Sequence, residues 1–309
     1  MTKRIDVRAE IERLDPKEDC QRIVFLTGYL EFSWDMVKAL ELALFRTFAV
    51  PEVAGLLDRT GEFGGATQRR YDDTAIIINE ILINGYDSKR GRAFLERMNH
   101  IHGMYRIKNE DFLYTLSTFV FVPIDWIDRF GWRKLYPNER LATFYFWREV
   151  GLRMNIKDIP ETYEAFEAWT RDYERRKFGF SESAQRVGNA TRDLLLSFYL
   201  PKLLWKPAYP FVYALMDDPL LRAMGYPKPS RLVRGAVELA LQTRAKIQRV
   251  LPRNKYPKLA TLEQFATHPK GYTVDDIGPP AVRRKLAKDR AAATGAGSGC
   301  PAAVAPDVR

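Results

Sequence analysis

The sequence predicts an all-α fold, a single globular multi-helix domain around a buried pocket, followed by a disordered C-terminal tail. Three observations predict it. Apolar residues recur at three- and four-residue spacing along most of the chain, with little of the strict alternation that marks a half-buried strand. The periodic segments are separated by proline, glycine or helix-capping residues rather than by hairpin turns. Finally, 309 residues with 46% apolar and 13% aromatic content are enough to bury one large core. The domain is expected over 23–282, after an N-terminal arm of 1–22 and before a tail of 283–309.

Periodicity predicts helices over 35–48, 70–83, 88–103, 109–130, 137–154, 160–177, 181–199 and 230–251. Ser88 is an N-cap residue for the third, and Gly103 follows it where a C-terminal glycine belongs. Asn109 with Glu110 and Asp111 gives the next helix a cap and first-turn acids that favour the positive end of the helix dipole. Pro137 and Pro160 suit first-turn positions, where the missing N–H costs nothing. Pro201, Pro207, Pro210, Pro219, Pro227 and Pro229 make 201–230 an extended or broken-helix wrap. From Arg283 the chain turns to Lys and Arg and then to Ala, Gly, Pro and Ser, without the large apolar groups that would order it.

Two helices carry the candidate chemistry. Arg70 and Thr74 stand four residues apart, on a face continuous with Ile77, Ile78 and Ile81, so a guanidinium and a hydroxyl top an apolar stripe. That combination suits an amphiphilic ligand with an anionic edge, because arginine forks onto carboxylates while isoleucines pack an apolar body. On the following helix, His102 shares a face with Phe94, Leu95 and Met98. It lies about 40° round from Met98 and about 160° from His100, so the two histidines cannot bind one metal from a straight helix. An imidazole pointing into an apolar interior is either hydrogen-bonded or uses a ring nitrogen on a metal. Both readings of His102 stay open on these residues alone, as does a pairing of Arg70 with a nearby acid.

Other chemistries find less support. The two cysteines, Cys20 and Cys300, sit near opposite ends with no metal or c-type haem motif, which points to a reducing compartment. No Glu-x-x-His pair, Gly-x-Ser-x-Gly elbow or phosphate-binding loop occurs. His268, followed by Pro269, reads as a surface loop residue. The start of the chain lacks a secretory signal and no apolar run is long enough to span a bilayer, so a cytoplasmic protein is expected, peripheral to membranes if it meets them. Residues 194–221 are apolar and aromatic with Lys202 and Lys206 interleaved, which suits either a membrane interface or the wall of a substrate channel. The net charge of +10 is spread over helices that also carry acids, with no nucleic-acid-binding signature, so no nucleic-acid partner is expected.

The runs Arg69–Thr74, Arg97–His102 and Ile107–Leu116 agree in order and spacing with the MpaB-type oxygenases, and so do Ala39–Thr47, Trp126-Ile127, Trp132-Arg133, Glu139-Arg140 and Ile159-Pro160. Over about 30 to 230 the chain resembles that family, which is distantly related to a haem-b rubber oxygenase. The resemblance implies a helical oxygenase domain holding haem b in a haem-sized pocket, with His102 as the iron ligand and Arg70, Thr74, Ile78 and Met98 around the cofactor. Arg70 and Thr74 are then the catalytic pair, contacting the propionates or polarising oxygen. His100 is the second choice of ligand, disfavoured because Glu96 and Arg97 share its face. Asp111 or Glu110 would accept from the other ring nitrogen, and Gly103 would let the chain turn beside the iron. Where the rubber oxygenase has a distal lysine, this chain has Asp73, so a lysine-ligated state is not expected. By the same resemblance the reactants are dioxygen and a small apolar substrate, isoprenoid or an unsaturated lipid, cleaved at a carbon–carbon double bond. The alternative is a non-catalytic helical protein that binds haem or lipid in the same pocket.

Overall fold

Side-chain caps set several of the helix starts. The structure, a computed structural model, describes residues 7–250 and 265–293, and every regular element among the described residues is helical. Helices α1 (Val7–Arg13) and α2 (Cys20–Phe25) lead through a π-helical turn at Leu26–Glu31 into α3 (Ser33–Phe48), α4 (Pro51–Arg59) and a single turn, α5 (Glu62–Gly65). Then come α6 (Thr67–Asn84), α7 (Lys89–Gly103), α8 (Asn109–Phe130) and α9 (Pro137–Arg153). They are followed by α10 (Tyr163–Lys177), α11 (Glu182–Ser197), α12 (Trp205–Tyr213), α13 (Asp218–Met224), α14 (Arg231–Val250) and α15 (Pro280–Ala293). Ser88, Thr162, Ser181 and Asp217 each accept a hydrogen bond from a backbone N–H three residues on, satisfying an otherwise orphaned donor.

All eight expected helices are present, each within three residues of its expected bounds. Between 201 and 230 the chain is a broken helix, with a 3-10 turn at Lys202–Leu204 and two short helices, α12 and α13. The N-terminal arm is part of the core from α1 onward, since Ile11 is fully buried and Cys20 nearly so. Helix α15 continues ten residues past the expected start of the tail, and residues 294–309, with Cys300, lie outside the described residues.

Helix α8 runs through the interior. Leu113, Tyr114, Val120, Ile124 and Ile127 are all buried along it, with α3 packed on one side and α9 and α10 on others. One apolar cluster, with Ile76, Val120, Phe144, Phe146 and Phe166 at its centre, joins α2, α6, α8, α9 and α10. A second, around Phe45, Phe48, Val187, Leu220 and Met224, joins α3, α11 and α13.

The turn between α6 and α7 fixes where their side chains meet. Gly85 leaves α6 at φ +82°, a backbone conformation that other residues rarely adopt. A Cβ at Gly91 would stand 1.9 Å from the Gly85 carbonyl oxygen, so the first turn of α7 lies directly on the end of α6. Gly91→Ala is expected to push the two helices apart and cost roughly 1–3 kcal/mol, read as a lowered urea midpoint at unchanged slope.

A strap formed by residues 265–278 covers the outer side of this pair. Thr267 donates from its N–H and its hydroxyl to Asp72, at 2.9 and 2.7 Å, and Tyr272 donates to Glu80 at 2.7 Å. Asp73 accepts from the Gly278 N–H at 2.9 Å and faces His268 Nε2 at 3.0 Å. From α7, Arg97 donates to the carbonyls of Asp275 and Ile277. One reading of the sequence is corrected by this strap. His268 is buried rather than at the surface, and Arg97, named in the sequence only as a neighbour of His100 on its helix face, is a buried anchor. The physical reason is the same for both: a segment about 180–200 residues away in sequence supplies the partners that make their burial affordable.

Candidate functional site

A cavity of about 720 Å³ lies between the two apolar clusters, well within the range of small-molecule sites. Its walls come from α3, α6 and α11, the π-helical turn, and the start of the strap at Phe265 and Ala266. Apolar surface dominates it, through residues such as Val24, Leu44, Phe48, Ile78, Leu82 and Phe119. Thr27, Gly28 and Tyr29 reach the wall because the π-helical turn offsets them from a regular helical register, a device common at functional sites.

Arg70, Thr74 and Ile78 form one stripe of α6 on this wall, as their spacing predicts. The Arg70 side chain is half-buried and makes no hydrogen bond or ion pair among the described residues; burial pulls its pKa down, opposed by Asp73, Tyr105 and Glu62. The Thr74 hydroxyl donates to the Arg70 carbonyl at 2.9 Å, so on the cavity side it can accept a hydrogen bond but has no proton left to donate.

Met98 and His102 lie outside the cavity lining. Met98 packs against the main apolar cluster, and the His102 ring stands edge-on to Phe112 at 5.3 Å. The His102 Nδ1 is buried without any hydrogen-bond partner. Burial, and then the charge of Arg70, push the His102 pKa down to about 4, so the ring is neutral at pH 7. Arg70 therefore stands close enough to be felt by His102 while itself facing the cavity. The acceptors expected for the second ring nitrogen are engaged elsewhere. Asp111 accepts from Tyr173 and Glu110 pairs with Lys177, because α10 packs on the start of α8 and brings both partners with it. Gly103 has open space around its Cα and touches nothing at the site. Asp73, at the position of the rubber oxygenase's lysine, turns to the strap, as described above.

The opposite wall carries a polar group that motif and periodicity do not single out. Glu41 of α3 is buried, accepts both Lys38 and the Tyr71 hydroxyl, and burial raises its pKa. Lys38 also donates to the Tyr199 hydroxyl at 2.7 Å, and all four residues line the cavity. Tyr29 donates to Asn79 at 2.6 Å nearby. The available signal was a glutamate inside the apolar run Ala39–Phe45, since a carboxylate there must find partners to be buried. Among the described residues no three His, Cys, Asp or Glu side chains are grouped to hold a bare metal ion, and no helix is long and apolar enough to cross a membrane.

Comparison with known proteins adds a second kind of observation. The sequence profile described as "ER-bound oxygenase mpaB/B'/Rubber oxygenase, catalytic domain" matches residues 35–245. The ER-bound oxygenase mpaB of Penicillium roqueforti (strain FM164) is 32% identical over 227 residues, which is 68% of this chain and 76% of the relative. The ER-bound oxygenase mpaB' of Penicillium brevicompactum is 32% identical over 219 residues, 65% of this chain and 52% of the relative. From the same organism, the ER-bound oxygenase mpaB is 28% identical over 223 residues, 66% and 57%. The chain thus spans little more than half the length of these last two relatives. The strap at 265–278 lies beyond the matched region.

Proposed function

The chain belongs to the catalytic-domain family of the mpaB-type ER-bound oxygenases and the rubber oxygenase, and from that premise we propose that it is a haem-b-dependent oxygenase acting on an apolar, isoprenoid or unsaturated lipid-like substrate. The observation that carries this reading is the buried, unpartnered Nδ1 of a neutral imidazole at His102, close to a half-buried, unpaired guanidinium at Arg70 on the wall of a large apolar cavity. Buried polar groups without partners are rare in a finished structure and mark places where a ligand completes the bonding. A macrocycle that brings four nitrogens of its own needs one protein ligand and a cation for its carboxylates, and that is the donor set these residues offer.

Haem, when bound, supplies the redox chemistry that activates dioxygen and attacks a carbon–carbon double bond. The protein supplies the rest. The low pKa of His102 keeps a ring lone pair free for iron at neutral pH, where an ordinary surface histidine would be partly protonated. Arg70 would neutralise a propionate through charge-assisted hydrogen bonds. Thr74, with its proton committed to the backbone, can only accept a hydrogen bond from a group in the cavity. Ile78, Phe48 and Phe119 pack the apolar body of the substrate and exclude water. The Glu41–Lys38–Tyr71 group orients any polar end of the substrate.

The absorbance spectrum of the purified protein tests the cofactor. A Soret band that shifts on reduction and again with carbon monoxide is expected, together with oxygen uptake on adding prenylated or unsaturated lipids. Folded protein that stays colourless after incubation with haem overturns the proposal in favour of a non-catalytic lipid-binding protein.

A further inference from the structure

One face of α14 is apolar and uncovered from end to end. Leu232, Ala236, Leu239, Thr243, Ile247 and Val250 are all exposed and fall within an arc of about 80° on the helix. Leu232 is 86%, Leu239 63%, Ile247 51% and Val250 82% exposed. The opposite side packs inward through Ala245, so the outward stripe is not the face that holds α14 to the domain. Isolated exposed apolar residues are ordinary, but an unbroken stripe over 20 residues of helix is not.

The stripe does not stand alone. Helix α12 packs on α14 and adds exposed Phe211, and the 3-10 turn before it adds Leu203 at 88% exposure. Arg244 of α14 donates to Asp35 at 3.0 Å and sits 3.6 Å over the Trp34 ring, seating α14 on the start of α3. Trp34, Val37, Phe198 and Tyr199 line the cavity and also stand in solvent, so they mark its mouth, next to this apolar surface.

Charge decides what the surface meets. Lys202, Lys206, Arg231, Lys246 and Arg249 are exposed around it, and none has a carboxylate partner among the described residues. Lys246 and Arg249 stand on one flank of the stripe, about 60° and 120° from its centre, where long side chains can rise past the apolar residues to a charged layer. A second copy of this face would bring cation against cation. An apolar stripe with basic flanks instead matches the interface of an anionic bilayer, with the helix lying in its plane.

We propose that α14, α12 and the turn at Lys202–Leu204 form a docking face for an anionic lipid bilayer, which sets the cavity mouth at Trp34 and Phe198 against the lipid. The docking stands on the surface alone. That the apolar substrate enters from the bilayer rests on the oxygenase reading above.

Flotation of the full-length protein with vesicles tests it without substrate or cofactor, so a failure of the haem reading leaves the result intact. Phosphatidylcholine vesicles containing phosphatidylglycerol are expected to carry the protein up the gradient, and pure phosphatidylcholine vesicles to carry much less. Reversing Lys202→Glu with Lys246→Glu is expected to weaken binding about tenfold or more, and added salt to do the same. Leu203→Glu with Leu239→Glu, both at open positions, is expected to abolish flotation while the thermal midpoint stays put. Failure to float with anionic vesicles at low salt overturns the proposal, as does equal flotation of the leucine variant. So does a dimer in size-exclusion chromatography that Leu239→Glu dissolves, since a second copy then covers the stripe.

Discussion

Purified protein carrying His102→Ala is expected to lose its Soret absorbance and its oxygen uptake while keeping its melting temperature within a few degrees. The small stability cost follows from the site. The ring makes no hydrogen bond through Nδ1 and packs edge-on to one phenylalanine, so its removal leaves no buried partner stranded. Acid should act on the same atom. In the unfolded chain a histidine protonates around 6.5, whereas His102 in the folded chain resists until about 4. Between those values the unfolded state binds the extra proton, so stability is fully present above pH 6.5 and falls as pH drops toward 4. On the haem reading proposed above, the proton also competes for the lone pair offered to iron, and haem release is expected in the same window. Urea midpoints and Soret absorbance, both followed from pH 7.5 to 5, check this. A His102→Ala protein that retains full haem content moves the ligand elsewhere on the chain.

The second large effect is structural. Arg133→Ala is expected to destabilise the protein by about 3–5 kcal/mol, because it strands two buried carboxylates side by side. Arg133 pairs with Glu139 through both terminal nitrogens, at 2.6 and 3.0 Å, and with Glu31 at 3.1 Å. The Glu139 and Glu31 side chains are 0% and 2% exposed. Glu139 also accepts from the Thr27 hydroxyl at 2.8 Å and from the Tyr136 N–H at 2.7 Å, so the group anchors both the start of α9 and the π-helical turn on the cavity wall. Denaturation in urea reads the loss directly, and a cost below 1 kcal/mol contradicts the account. Arg133→Lys keeps a charge but not the fork, and should recover only part of the difference.

The helices were legible because their signals are local. Ser88 caps α7, Pro137 opens α9, and apolar spacing marks α8 and α14 without reference to any other part of the chain. The short helices α4 and α5 and the π-helical turn escaped, being too brief for periodicity to declare itself. For the site, the Arg70–Thr74–Ile78 stripe could be read because all three belong to one helix. His268 and Arg97 could not, because the strap that buries them is remote in sequence. The same holds for Asp111, whose acid was visible but whose partner Tyr173 arrives on another helix. In Trp132-Arg133 and Glu139-Arg140 the resemblance pointed to residues that hold the fold together rather than line the cavity.

The strap also orders events in time. Phe265 and Ala266 complete a wall whose other faces are made of residues up to Tyr199, and their anchors on Asp72, Asp73 and Glu80 wait for residues 267–278. During synthesis, therefore, the chamber must stand open while some eighty residues leave the ribosome, and closing it is the last long-range step. Nascent chains cut short before residue 265 should present that unfinished side to water, exposing greasy surface that full-length chains seal on release.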